Sequence, residues 1–307
     1  MNNIEQHIKS YLDYCSMQKR LDAKTIKAYR IDLTQFAGYI DEAESSAITQ
    51  DALEQYISCL HQKYQPKTVK RKIASLKAIF HYFEYKEIIE QNPFNRIQIK
   101  FREPVILPKT IPLHTVESLL KVMYAMQSNG KTVRQRRDAL RDIAVCEMLF
   151  ATGMRISELC SLRVQDVNLP DGTILIYGKG SKERRLQIGN TDVISILDKY
   201  KTNFYYEIEN CQSFFVNQSG RPLSDQTVRR MINKYAELAG IELHITPHMF
   251  RHTFATSLLE ADVDIRYIQE MLGHSSINIT EIYTHVAVSK QRDILASKHP
   301  RKDFILL

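Results

Sequence analysis

Three prolines within nine residues separate the chain into two parts. Pro104, Pro108 and Pro112 lie in the segment spanning residues 103–112. Proline lacks a backbone N–H and disfavours helical geometry in the residue before it, so no helix can run through this segment. We therefore predict an extended linker at residues 103–112. It separates a domain at residues 1–102 from a second domain at residues 113–307.

The first part shows the apolar spacing of four helices. Apolar side chains recur three or four positions apart, which is the pattern of an amphipathic helix with one buried face. The four sets begin at Ile4, Ile26, Leu53 and Val69. Thr25, Thr49 and Pro66 stand where helices would begin, because threonine caps a helix N-terminus and proline fits its first turn. This pattern predicts a four-helix bundle.

The second part predicts further helices and one β-hairpin. Helices are expected near residues 116–126, 138–150, 192–206 and 224–239, with Gly153 ending the second and Ser224 capping the last. Alternating apolar residues at 173–177 and 184–188 flank a glycine-rich turn, which is the signature of two antiparallel strands. The predicted fold is mostly α, with a small antiparallel sheet in the second domain.

The charge of the chain favours a polyanionic partner. Its net charge is +7 and its pI is about 9.0, although a basic surface alone fits RNA, DNA or an anionic membrane. Residues 1–102 hold 16 Lys and Arg against 12 Asp and Glu, a surplus of 4, which leaves 3 for the longer remainder. The fourth predicted helix carries a row of cations that we call the basic row, Lys67, Lys70, Arg71 and Lys77. The row suits a DNA backbone, although a solvated helix face is an alternative reading.

Cysteine usage and hydropathy predict a cytoplasmic protein. The five cysteines are scattered and form no CxxC pair, so neither disulfides nor a zinc knuckle are expected. No signal peptide and no apolar run of membrane-spanning length is evident. We expect no membrane association.

The strongest candidate site lies near the C-terminus. Residues 248–285 contain four histidines and Arg251 around Tyr283, a group of side chains suited to an anion. His248 and His252 have the spacing of a zinc-protease helix, but Met249 replaces the glutamate that such a site needs. The Gly178–Lys179 turn lacks the earlier glycine of a P-loop, since Thr173 stands at that position. We therefore predict neither a metal nor a nucleotide cofactor.

Five segments of the chain resemble the motifs of the tyrosine recombinases, the phage integrase family, in the family's order. They are ATGMRISEL (151–159), YGKGSKER (177–184), HMFRHT (248–253), LGHSS (272–276) and IYTH (282–285). The resemblance implies an N-terminal SAM-like, core-binding bundle that clamps DNA, followed by a catalytic domain. It implies six catalytic residues: Arg155, Lys179, His248, Arg251, His274 and Tyr283. Glu158, one turn beyond Arg155, is either a partner that orients an arginine or a member of a surface ion pair.

The resemblance also implies a reaction and an assembly. Tyr283 would form a 3′-phosphotyrosyl bond, and two duplexes with inverted-repeat core sites would recombine through a Holliday junction within a homotetramer. From its apolar residues Ile294 and Leu295 and its closing Phe-Ile-Leu-Leu, we also hypothesise that the tail at residues 287–307 docks on the adjacent subunit. A type IB topoisomerase and a non-catalytic DNA-binding regulator are the alternatives. Integration or excision of a mobile element, inversion and chromosome dimer resolution all remain open as roles.

Overall fold

The computed structural model describes residues 3–40, 48–99, 109–178 and 183–273. The chain divides into two units, Met1–Pro104 and Val105–Leu307, and each unit has a hydrophobic core of its own. The roles assigned to the predicted domains stay predictions. So does the linker at residues 103–112, of which residues 103–108 lie outside the described part.

Four helices and a short 3-10 turn build the first unit, as the apolar spacing predicts. They are α1 (Asn3–Met17), α2 (Ala23–Ile40), α3 (Gln50–Lys63), α4 (Pro66–Tyr85) and the turn Pro93–Arg96. Phe36, Phe80 and Phe83 pack edge to face in the core. The Thr49 hydroxyl accepts a hydrogen bond from the N–H of Ala52 and caps α3, as expected.

The predicted cap at Thr25 is wrong. Helix α2 begins two residues earlier, at Ala23. The carboxylate of Asp22 accepts hydrogen bonds at 2.9 Å from both the N–H and the hydroxyl of Thr25. Aspartate is as good a cap as threonine, and here it holds the first turn of the helix.

The second unit is also helical, around one small sheet. Its helices are α5 (Leu113–Asn129), α6 (Val133–Thr152), α7 (Ile156–Cys160), α8 (Thr191–Asn203), α9 (Tyr205–Cys211), α10 (Asp225–Leu238), α11 (Pro247–Glu260) and α12 (Ile265–Leu272). The strands β1 (Val167–Asn168), β2 (Thr173–Tyr177) and β3 (Glu183–Gln187) form an antiparallel sheet in the order β1-β2-β3. Tyr177 pairs with Glu183, so the predicted hairpin is present with β3 beginning one residue early.

One predicted helix is two helices. The segment expected at residues 192–206 breaks at Phe204, where α8 ends and α9 begins. Phe204 has a non-helical ψ of 20° and buries its ring 4.9 Å from that of Tyr200, measured between centroids. That contact has the i, i+4 spacing of a continuous helix and does not by itself explain the break.

Helix α6 is the centre of the second unit. It is buried on most of its circumference and packs against α5, α8 and α11. Thr132 and Gln135 cap its beginning reciprocally, and Gly153 ends it with a left-handed φ of 60°. The N–H of Ile111 donates to the Thr253 hydroxyl at 2.7 Å, which ties the start of the unit to α11.

Candidate active site

A glycine turn at the end of α6 presents Arg155. Gly153 has the left-handed backbone that favours glycine, and an added Cβ would lie 2.5 Å from the ring of Phe254. Met154 is buried behind the turn, and Arg155 stands immediately before the first residue of α7. The Arg155 side chain is 31% exposed, so its guanidinium is reachable from solvent. Sequence spacing predicts this position correctly.

Glu158 is buried and faces two arginines. Its Oε1 accepts from Nη1 of Arg155 at 2.8 Å, and its Oε2 accepts from the backbone N–H of Arg155 at 2.8 Å. Arg184 adds two further bonds, at 3.0 and 2.7 Å, to the same two oxygens. Burial alone would raise the pKa of Glu158, but the hydrogen bonds from Arg184 and Arg155 lower it to about 2. Glu158 therefore does not form a surface ion pair.

Arg251 reaches the same turn from α11. Its Nη1 donates to the carbonyl of Gly153 at 2.8 Å, and its Nη2 donates to the carbonyl of Leu272 at 2.6 Å. Burial lowers the pKa of Arg251 to about 9, with a further contribution from the positive charge of Arg155. The guanidinium is therefore still charged near neutral pH. It carries more N–H groups than these two contacts use.

His248 lies one turn before Arg251 and is exposed. It follows Pro247, which occupies the first position of α11, where a missing N–H costs nothing. A separation of three residues places His248 and Arg251 on neighbouring positions of one helical face. The exposed histidine and the buried arginine thus lie close together at the beginning of the helix.

Three of the six predicted catalytic residues fall outside the described part of the chain. They are Lys179, in the connection between β2 and β3, and His274 and Tyr283, which follow α12. The predicted subunit-contact tail at residues 287–307 also lies outside it. The last described residue is Gly273, which ends α12 with a left-handed φ of 64° and immediately precedes His274.

The sequence motifs do not identify Arg184 as a member of the site, although it is the last residue of the second motif. Its side chain is only 10% exposed, and its Nε donates to the carbonyl of Met271 at 2.8 Å. The sequence signal that could have identified Arg184 is the two-residue alternation of the strand. Arg184, Leu186 and Ile188 share one face, and the last two are buried. An arginine on a buried strand face needs a partner, and Glu158 provides it.

In the first unit, every side chain of the basic row is exposed on α4. Arg71 also contacts the core of the bundle, because its Nη1 donates to the buried carboxylate of Asp32. Lys72 was missed, although its i, i+3 spacing from Val69 places it on the apolar face. Its ammonium is buried and donates to Asp32 at 3.0 Å.

The site around α7 is built for an anion. In the described part of the chain, Glu158 pairs with Arg155 and Arg184 while Arg251 lies at the same turn, so three guanidiniums face one carboxylate and two positive charges are in excess. Burying unpaired charge is costly, so a bound anion would stabilise the arrangement. Among the described residues, no group of His, Cys, Asp and Glu side chains is placed to hold a metal ion. In the same part of the chain, no helix has the length and apolar character of a membrane span.

Comparison with known proteins gives consistent matches along the chain. The model of the phage integrase family matches residues 113–290, and that of the phage integrase N-terminal SAM-like domain matches residues 8–87. A protein named tyrosine recombinase from Agathobacter rectalis is 70% identical, covering 99% of each chain. Tyrosine recombinase XerC from Oceanobacillus iheyensis is 33% identical, covering 98% of each. A structure of XerH site-specific recombinase bound to a palindromic difH substrate in a post-cleavage complex superposes with a TM-score of 0.74 at 22% identity, covering 94% of this chain and 83% of that one.

Proposed function

Because this chain belongs to the phage integrase family of tyrosine recombinases, we propose that it cuts and rejoins DNA through a covalent bond between Tyr283 and a 3′-phosphate. The family model and the 70% identical relative confirm the identification of the family made from the sequence. The observation that carries the proposed chemistry is the pair of guanidiniums of Arg155 and Arg251 at the Gly153 turn. A phosphodiester is the anion that such a pair suits, because a planar guanidinium donates parallel bonds to phosphate oxygens.

The proposed step exchanges one phosphorus–oxygen bond for another. The phenol oxygen of Tyr283 attacks the phosphorus, and the bond from phosphorus to the 5′-oxygen of the DNA breaks. A free tyrosine has a pKa of about 10, so His248 is assigned to accept its proton. Lys179 protonates the leaving 5′-oxygen, and His274 donates a hydrogen bond to the phosphate. The protonated 5′-hydroxyl is then free to leave.

The arginines stabilise the charge that grows on the non-bridging oxygens during the attack. Removing one donor of this type typically lowers a rate by roughly 10²–10³-fold. The phosphotyrosyl bond retains the energy of the broken diester, so a 5′-hydroxyl from another strand can attack it without ATP. The reaction therefore needs no cofactor.

The proposed partner is double-stranded DNA with inverted-repeat core sites. The exposed cations of the basic row support a contact with phosphates. The XerH relative was solved on a palindromic substrate, which fits the same kind of site. Exchange of two duplexes through a Holliday junction breaks every strand once, and each break uses one Tyr283. A homotetramer supplies those tyrosines, and the cytoplasm, where bacterial DNA lies, is the proposed location.

The competing functions make different demands on the substrate. A topoisomerase would relax supercoiled DNA that carries no specific site, and a regulator would bind DNA without forming a covalent bond. The recombinase names of relatives that match the whole chain favour neither alternative.

The test is a search for the covalent intermediate. Duplexes selected for binding from a random pool are synthesised with a nick beside the cleavage position, so that the cut end diffuses away and the protein stays attached. Wild-type protein should give a slow-migrating protein–DNA band on a denaturing gel. Tyr283→Phe should abolish the band, because it removes the attacking oxygen. Tyr267→Phe, which changes an exposed phenol on α12, is the matched control and should keep it.

Two results would contradict the proposal. One is a wild-type protein that binds the selected duplex and never becomes attached to it. The other is attachment that persists in Tyr283→Phe. Relaxation of a supercoiled plasmid without the selected site would instead support the topoisomerase.

A further inference from the structure

Arg184 joins three separate parts of the second unit. Its guanidinium holds both carboxylate oxygens of Glu158 on α7, and its Nε holds the carbonyl of Met271 on α12. The residue itself lies on β3, opposite Ile176 of β2. One side chain thus links the strand that follows the Lys179 connection to the helix behind Arg155 and to the helix end before His274.

We propose that Arg184 is a positioning residue for DNA cleavage, which sets the direction of the Arg155 guanidinium through Glu158 and fixes the C-terminal end of α12. The inference rests on the proposed function, because it concerns the same reaction. Arg184 does not touch the DNA in this proposal. It acts through Glu158 and the α12 backbone.

Arg184 and Arg155 share the carboxylate of Glu158. Each oxygen accepts one bond from each arginine, with the backbone N–H of Arg155 supplying one of them. Arginine and carboxylate pair most strongly when both oxygens meet both guanidinium arms. Without Arg184, Glu158 is free to take Arg155 in that bidentate form. The Arg155 arms needed for a phosphate would then be occupied by a carboxylate.

Arg184 also closes the end of α12. The last carbonyls of a helix lack partners within it, and cations near them are favourable. Arg184 takes the carbonyl of Met271, and Arg251 takes the carbonyl of Leu272. The side chain packs directly on Gly273, where an added Cβ would lie 2.9 Å from its Cδ. The contact fixes the backbone at the residue before His274.

The experiment compares two neighbouring arginines on β3. Arg184→Gln and Arg185→Gln remove the same charge, but Arg185 points to the opposite, exposed face of the strand. Arg184→Lys keeps the positive charge but loses the planar guanidinium that donates to both oxygens of Glu158. For each full-length variant, we measure the melting temperature, the affinity for the selected duplex, and the single-turnover rate of covalent attachment to the nicked duplex at saturating DNA.

We expect cleavage to slow while binding stays intact. Substituting residues that orient the ligands of a catalytic metal typically costs roughly 10–100-fold in activity, and we expect the same range for a residue that orients a catalytic arginine. Arg184→Gln should fall in that range, Arg184→Lys should lie between it and the wild type, and Arg185→Gln should keep the wild-type rate. Arg184→Lys should retain wild-type melting and DNA affinity. This separation distinguishes positioning from simple support of the fold.

A second substrate tests the route of the effect. Sulfur in place of the bridging 5′-oxygen gives a leaving group that needs no proton. If an Arg184 variant is slow because Arg155 or the end of α12 is misplaced, its cleavage should stay slow on this substrate. A defect in proton donation should disappear, and full rescue of Arg184→Lys would overturn the proposal.

The remaining outcomes are also decisive. The proposal would be overturned if Arg184→Lys cleaves at the wild-type rate. It would also be overturned if this variant loses cleavage rate, DNA affinity and melting temperature together. If Arg184→Gln does not fold, Arg184→Lys decides alone. If the wild-type protein forms no covalent adduct with the duplex, the proposed function is contradicted. If the variants without Arg184 form the adduct as fast as the wild type, only the role of Arg184 is contradicted.

Discussion

Two neighbouring carbonyls at the end of one short helix each bind a different arginine. Met271 accepts from Arg184 and Leu272 accepts from Arg251. A cation near a helix C-terminus typically contributes about 0.3–1 kcal/mol, and more where it is partly buried. The same two arginines approach Glu158 and Gly153, so the helix end and the anion site depend on the same side chains.

The ionisation of Glu158 gives a prediction for acid stability. Its pKa falls from an ordinary value of about 4.5 to about 2 in the folded protein. A lowered carboxyl pKa stabilises the fold above the unfolded pKa, and this contribution is lost as the pH falls through the folded pKa. Glu158→Gln should therefore be clearly less stable than the wild type at neutral pH. The difference should shrink between about pH 4.5 and about pH 2.

Urea unfolding followed by circular dichroism measures this difference at each pH. Glu117→Gln is a suitable control, because Glu117 forms an exposed pair with Lys121 on α5. It should show little stability change at any pH. A gap between Glu158→Gln and wild type that stays constant down to about pH 2 would rule out the ionised form as its source.

The sequence predicts the residues of this site unequally. Arg155 follows a glycine that ends a helix, so local signals place it, whereas Arg251 is identified through the family resemblance of its motif. The partners of Arg251 cannot be predicted this way, because Gly153 and Leu272 are backbone acceptors without a side-chain signature. The roles of the six predicted catalytic residues stay predictions.

Among the elements, α2 and α4 are joined by a buried polar cluster. The carboxylate of Asp32 on α2 accepts from Lys72 at 3.0 Å and from the hydroxyl of Ser75 at 2.9 Å, and Arg71 also donates to it. The Lys72 ammonium lies 4.9 Å from the ring centroid of Tyr64. The cluster connects the core of the bundle to the basic row through Arg71.

Breaking this cluster from one side should cost more than removing it. Asp32→Leu leaves the Lys72 charge buried without a carboxylate, which typically costs roughly 3–5 kcal/mol. Adding Lys72→Met removes the charge as well, so the double variant should recover much of the loss. Hydrogen exchange of the α2 and α4 amides in the full chain measures opening of this unit alone. A double variant that is less stable than Asp32→Leu would contradict the prediction.

Helix boundaries follow from sequence where a single side chain determines them. Ser224 accepts from the N–H of Thr227 and caps α10 as predicted, and Gly153 ends α6 as predicted. The sequence does not predict the break at Phe204, because Tyr200 and Phe204 are four residues apart, which is equally the spacing of an unbroken helix. Nor does it separate Asp22 from Thr25 as the cap of α2, since both residues suit the position.

At the scale of the whole molecule, the surplus of positive charge is concentrated where the basic row lies. Residues 1–102 carry 16 cationic against 12 anionic side chains. Phosphate contacts release condensed counterions, so DNA affinity should fall steeply with salt. Non-specific attraction of DNA then depends on the cations of α4, and the cleavage reaction depends on the arginines around α7.

Lys77→Gln should weaken DNA binding without slowing the reaction on bound DNA. Loss of one phosphate contact should reduce the slope of log affinity against log salt by about 1. Lys121→Gln removes the same charge from α5, outside the basic row, and should leave the slope unchanged. Fluorescence anisotropy over a salt series measures both variants. Equal slopes for Lys77→Gln and wild type would remove Lys77 from the DNA contact.

The two carbonyl contacts of Arg251 also set an order in time. Arg251 binds Gly153, 98 positions earlier in the chain, and Leu272, 21 positions later. A growing chain on the ribosome exposes Arg155 long before α11 and α12 exist. The anion site can close only after Leu272 has left the exit tunnel. A chain that ends before Leu272 therefore lacks one of the two carbonyls that hold the Arg251 guanidinium.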